Sequence, residues 1–65
     1  MNFRDGYILG LSKDGQTMQF FFPYSERNVN LVRSIYGRIY NKHLKCWEFP
    51  INPQIYADIL MKFPQ

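Results

Sequence analysis

The chain has little of what most catalytic and metal-binding sites need. It carries one cysteine, Cys46, and one histidine, His43, in 65 residues. A lone cysteine forms no internal disulfide, and one thiol with one imidazole falls short of a structural zinc site. A reducing, cytoplasmic setting fits, nucleoid-associated if the source is bacterial. No apolar run approaches the roughly 18 residues of a membrane span, and no charged-then-apolar leader opens the chain, so a soluble protein with no membrane partner is expected. Its glycines, at positions 6, 10, 15 and 37, nowhere build the glycine-rich Gly-Lys-Ser or Gly-Lys-Thr loop that cradles nucleotide phosphates. Neither His43 nor Cys46 has a partner at a useful spacing for nucleophilic or acid–base chemistry. The sequence therefore predicts no enzyme, no cofactor and no metal.

Acid is the other scarcity, and its distribution says more than its total. The net charge is +3, which permits an acidic partner without requiring one. Between Glu26 and Glu48 lie Arg27, Arg33, Arg38, Lys42 and Lys45 with no carboxylate among them. The middle third is a basic island, interleaved with Tyr36, Tyr40 and Trp47.

What is present suffices for one small domain. Hydrophobic residues make up 46% of the chain and aromatics 18%, outside the range of disordered segments. Tyr7 to Leu11 and Thr17 to Phe22 are β-rich runs joined through Lys13-Asp14-Gly15, where Asp-Gly supplies the positive φ of a tight turn. Ser25 reads as an N-cap with Glu26 in the favoured first turn. Val29, Val32, Ile35 and Tyr36 follow at helical spacing to a C′ Gly37, which predicts a helix from Ser25 to Tyr36 of about three turns. Arg38 to Tyr40 and Lys45 to Phe49 read as a second hairpin around Asn41-Lys42-His43. Asn52 caps a second helix from Pro53 to Phe63, with Pro53 at the first position and a stripe of Ile55, Tyr56, Ile59, Leu60 and Phe63.

The order is ββαββα, an α+β fold with a core over about residues 7 to 63. An antiparallel sheet is expected to carry both helices on one face. Met18, Phe20 and Phe22 should share a face with Tyr7, Leu9 and Leu11, and Trp47 should share one with Phe49. Phe21, Ile39 and Cys46 fall on the other. Phe22-Pro23-Tyr24-Ser25 and Phe49-Pro50-Ile51-Asn52 match in pattern, and Val32/Ile59 and Tyr36/Phe63 follow at equal distances. Either a degenerate ββα repeat or convergence on one strand-to-helix turn explains the match.

Strand alternation puts Arg38 with Tyr40, and Lys45 with Trp47 and Phe49. The simplest reading of Trp47 is a core residue, because so small a domain needs its largest side chain inside. Tyr40 reads similarly, with its hydroxyl at the rim. Any single basic residue is most simply a solvated surface charge. As a group without a neutralising acid, Arg33, Arg38, Lys42 and Lys45 point to an anionic partner, and nucleic acid is the anion that a basic patch beside stacking rings serves. His43 joins the group at the hairpin turn.

Val32-Arg33, Gly37-Arg38, Tyr40-Asn41 and Lys45-x-Trp47-x-x-Pro50 resemble the core of the HARP domain and its small bacterial and phage relatives, over roughly residues 18 to 63. The chain departs from that pattern at Ile39, where a basic or polar residue is expected, and at Cys46. Those domains accompany Swi/Snf-type helicase motors that remodel replication forks. The resemblance implies a non-catalytic DNA-targeting module for forked or single-strand/double-strand junction DNA, serving a helicase in cis or in trans in replication-fork processing and DNA repair. It places Arg33, Arg38, Tyr40, Lys42, His43, Lys45 and Trp47 at the nucleic acid. A monomer is expected. The ending Lys62-Phe63-Pro64-Gln65 favours excision from a longer helicase over a module encoded alone. Two other readings use the same parts: a protein-interaction module that docks a helicase motor on the sheet face around Phe21 and Ile39, and an RNA-binding module.

Overall fold

The computed structural model describes residues 2–4, as backbone, and residues 6–63; Pro64 and Gln65, part of the chain ending just considered, lie outside the described residues. Five strands and two helices follow one another as β1 (Asn2–Arg4), β2 (Tyr7–Leu11), β3 (Thr17–Phe21), α1 (Glu26–Arg33), β4 (Ile39–Asn41), β5 (Cys46–Pro50) and α2 (Pro53–Lys62). The α+β fold is as expected, with β1 as an additional strand antiparallel to β2. The sheet is antiparallel at every described pairing, in the order β1-β2-β3-β5-β4.

The first long hairpin closes as its sequence dictates. Gly15 takes φ +71°, and the Asp14 carboxylate accepts from the Ser12 hydroxyl at 2.6 Å and from the Gln16 amide at 3.0 Å. Those two bonds hold the Asp14 carboxyl below its ordinary range, the Ser12 hydroxyl contributing most. Register then pairs Leu9 with Phe20 and Leu11 with Met18, which puts the alternating apolar residues on one face.

Both helices begin where their caps predict. Ser25 Oγ accepts from the Asn28 amide at 3.0 Å, and Asn52 Oδ1 accepts from Gln54 and Ile55 at 2.8 and 3.2 Å. The end of α1 differs from expectation: the helix stops at Arg33, about two turns long, and not at Tyr36. Ser34 is the reason. Its hydroxyl donates to the Leu31 carbonyl at 2.6 Å and its amide reaches the same oxygen at 3.1 Å, so the last turn tightens and the chain leaves the helix. Gly37 still takes a left-handed φ of +84°, but in the loop beyond. The second hairpin is displaced by one residue: Arg38 and Lys45 flank strands they were expected to begin.

The core lies between one sheet face and both helices. Leu9, Met18, Phe20 and Phe49 from the sheet meet Val32 and Ile35 after β3 and Ile55, Ile59 and Phe63 after β5 in one buried cluster. Asn28 is buried with them, its side-chain Nδ2 donating to the Tyr7 hydroxyl at 2.8 Å and the Pro23 carbonyl at 3.2 Å. The two ββα units relate through the sheet centre. If Phe22 corresponds to Phe49, then Phe20 corresponds to Trp47, and those two are direct partners across the β3–β5 pair. A local two-fold through that pair is what a repeat produces.

A side chain at position 37 would meet Pro50 Cδ at 3.0 Å and Cγ at 3.2 Å, on top of the cost of positive φ. Gly37→Ala should destabilise by about 1–2 kcal/mol, a fall in Tm of roughly 5–15 °C in a domain of this size. Thermal melts followed by circular dichroism check it; an unchanged Tm would refute the crowding.

Candidate nucleic-acid interface

The site is built on one row of cross-strand partners. Leu9, Phe20, Trp47 and Tyr40 stand side by side across β2, β3, β5 and β4 on the helix-bearing face. Helices cover the row's first half, where Phe20 is wholly buried and touches Phe22 and Phe63 at ring-centroid distances of 5.1 and 4.9 Å. The other half is open. Tyr40 is 47% exposed and its ring lies 5.0 Å from that of Trp47.

Trp47 itself is half-buried, packed against the core on one side only. The expectation of a fully interior Trp47 is corrected to that extent. The cause is local: β4 is a three-residue edge strand, and α1 ends too early to roof it.

A groove of about 620 Å³ opens along this uncovered half, lined by Phe20, Phe22, Tyr24, Val29, Arg33, Tyr40, Lys45 and Trp47. Its volume lies within the range of about 300–1,000 Å³ common for ligand sites. Of the residues expected at a nucleic acid, the groove unites Arg33, Tyr40, Lys45 and Trp47. Arg38, Lys42 and His43 are exposed but do not line it. Lys42 and His43 occupy the turn between β4 and β5, whose last residue is Lys45; Arg38 precedes β4.

Sequence reasoning missed Phe20, Phe22, Tyr24 and Val29 as groove residues. A signal existed for two of them. Tyr24 precedes the N-cap and Val29 is the fourth residue of α1, the spacing of a hydrophobic staple. Tyr24 is nonetheless 85% exposed, so its ring forms a wall and not a plug.

The electrostatics of the rim are one-sided. Among the described residues the ion pair is Lys62–Asp58 at 3.2 Å, neither of which lines the groove, and no described carboxylate shares the groove with Arg33 and Lys45. Arg33 stands in the last turn of α1, where the helix dipole favours a cation. Lys45 takes φ +57°, the left-handed region, as the one described non-glycine residue with positive φ. Left-handed geometry at a non-glycine residue costs about 1–2 kcal/mol, and such strain concentrates at working sites.

Glu48 lies on the opposite sheet face. Its carboxylate accepts from Asn41 Nδ2 at 3.0 Å and Gln19 Nε2 at 2.9 Å, and these bonds, Asn41's first, hold it below the ordinary glutamate range. A depressed folded-state pKa means the stabilisation is present above the ordinary glutamate range and is lost as pH falls through the lower, folded value. Burial pushes the Cys46 thiol up, with Glu48 adding to the shift. The same face exposes Ile39 at 66% and Ile8 at 46%.

A second hollow, of about 510 Å³, runs beside α2 past Tyr36, Asn52, Asp58 and Met61; its one charged lining residue is acidic, which suits an anion poorly. Among the described residues no group of three His, Cys, Asp or Glu side chains could hold a metal ion, and no helix is long and apolar enough to cross a membrane. No protein-family model, curated protein or solved structure matches the chain.

Proposed function

We propose that the domain is a non-catalytic module that binds forked or single-strand/double-strand junction DNA, as the HARP-like sequence pattern implies, and targets an attached or partner helicase to it. The observation that carries the reading is the groove in which Arg33 and Lys45 flank Tyr40 and Trp47 with no acid among its described lining residues. Cations at such a rim take phosphates, and rings take the faces of unpaired bases. Bases stacked within a duplex do not present those faces, whereas a frayed junction does. The short patch offers no Asn or Gln helix face to base edges in a major groove, so duplex sequence should matter little.

The direct test is a titration of forked DNA and blunt duplex of equal length at one fixed low salt, and tighter binding of the fork is expected. Equal affinity would leave only a nonspecific cationic surface, and selection of one duplex sequence would contradict the mechanism.

Salt dependence supplies a second measurement. If three or four of Arg33, Arg38, Lys42 and Lys45 each neutralise a phosphate, log K should fall against log salt with a slope of about −2 to −4. Lys42→Ala and Lys45→Gly should each reduce the slope by about one. Lys45→Gly should also hold or slightly raise the Tm, because glycine adopts φ +57° without strain. A flat salt response would favour the docking of a motor domain on the sheet face bearing Ile8, Phe21 and Ile39.

A further inference from the structure

Resting on the proposed DNA-binding role, we infer that the groove selects which unpaired base it accepts, taking bases with a keto oxygen at thymine O4 or guanine O6 over those with an amino group at the corresponding position, cytosine N4 and adenine N6. The inference comes from the kinds of polar group that the lining side chains offer. Arg33 has guanidinium N–H groups, Lys45 an ammonium, and Trp47 an indole N–H, all donors without acceptor capacity. Tyr24 and Tyr40 add two hydroxyls that can do either. Among the described residues no Asp, Glu, Asn or Gln lines the space, so the described lining includes no dedicated acceptor.

These donors are uncommitted. Every buried side-chain nitrogen and oxygen among the described residues has a partner, and the half-buried Trp47 has no hydrogen bond for its indole, which therefore reaches solvent. Arg33 and Lys45 are exposed and in no ion pair among the described residues. An entering base thus meets rings along its faces and donors at its edge. Thymine O4 and guanine O6 accept there; cytosine N4 and adenine N6 set donor against donor at the same position, leaving only cytosine O2 and N3 or the adenine ring nitrogens to accept. Groups in a partly desolvated site discriminate strongly on that basis, because a missing partner costs more than a present one contributes.

Comparison within one ring size removes stacking from the measurement. A forked oligonucleotide whose arms are abasic spacers, except for one nucleotide beside the junction, isolates a single base. Anisotropy titrations of the whole protein should rank thymine over cytosine and guanine over adenine by about fivefold or more each, the worth of roughly one hydrogen bond. The fully abasic fork should bind more weakly than the thymine fork.

Arg33→Gln introduces a side-chain carbonyl, and Trp47→Phe removes the indole donor while keeping a ring. Each should bring the thymine-to-cytosine ratio toward one. Equal affinity for all four bases, or for thymine and abasic forks, with every fork still above blunt duplex, would overturn the base selection and leave the fork reading standing. Forks that bind no better than blunt duplex would overturn that reading and the selection together. A ratio unmoved in the doubly substituted protein would also overturn the assignment of the donors.

Discussion

Phe20→Ala is expected to leave much of the population unfolded at room temperature. Phe20 is fully buried and sits among Tyr7, Phe22 and Phe63, with ring-centroid separations from 4.9 to 6.5 Å. Truncating a buried phenylalanine costs about 3–5 kcal/mol, because transfer energy and a residual cavity add. A domain of this length has roughly 3–10 kcal/mol to lose. Tyr7 from β2, Phe22 just after β3 and Phe63 capping α2 all lean on the ring, so the cavity has few ways to collapse. Tyr36→Ala, at a side chain that is 83% exposed, is the matched control and should melt like the parent. Urea unfolding followed by circular dichroism measures both, and a Phe20→Ala midpoint close to the parent's would mean that the aromatic cluster is not the centre of the core.

The second large effect falls on binding. Arg33→Glu combined with Lys45→Glu should weaken binding to forked DNA about a hundredfold at low salt, since each reversal replaces a phosphate attraction with repulsion and about 1.4 kcal/mol corresponds to tenfold. The fold should survive. Both side chains are exposed and neither is in an ion pair among the described residues, so the main stability cost is a carboxylate against the α1 dipole at position 33, about 1 kcal/mol or less. Raising salt should narrow the gap between parent and variant. A variant that binds like the parent at low salt would place the DNA elsewhere on the surface.

How much of this was legible in the sequence depended on whether the deciding interaction was local. Asp14-Gly15, Ser25, Asn52 and Pro53 act within a few residues of themselves, and the turn and both helix starts lie where they were expected. The end of α1 misled because two signals competed: Gly37 has the positive φ of a C′ residue, but Ser34 had already taken the Leu31 carbonyl with its hydroxyl. Strand order was not legible, since nothing in β3 or β5 alone says that they pair. β1 was missed because Asn2–Arg4 is too short to show alternation. The candidate site was half legible. A basic island and its rings can be counted along a chain, but Tyr24 and Val29 reach the groove only through the placement of α1, and Arg38, Lys42 and His43 fall outside its lining, before β4 and in the turn after it.

The β3–β5 seam has a kinetic consequence. Each strand of that pair belongs to a different hairpin, and α1 and β4 intervene in sequence. Either hairpin can flicker into existence alone within about 1–10 μs, yet neither then owns a closed core, since Phe20 and Trp47 become neighbours only when the seam forms. Loop closure between the halves is thus the step at which the chain commits, and mixed topologies of this kind fold at intermediate speed for that reason. Seam amides should exchange with solvent only through global opening, whereas those of β4, a short edge strand, exchange through local fraying. The groove is therefore bounded by a slowly exchanging seam and a quickly exchanging edge strand, a rigid floor under Trp47 and a yielding wall at Tyr40 that can adjust to whatever ring it receives.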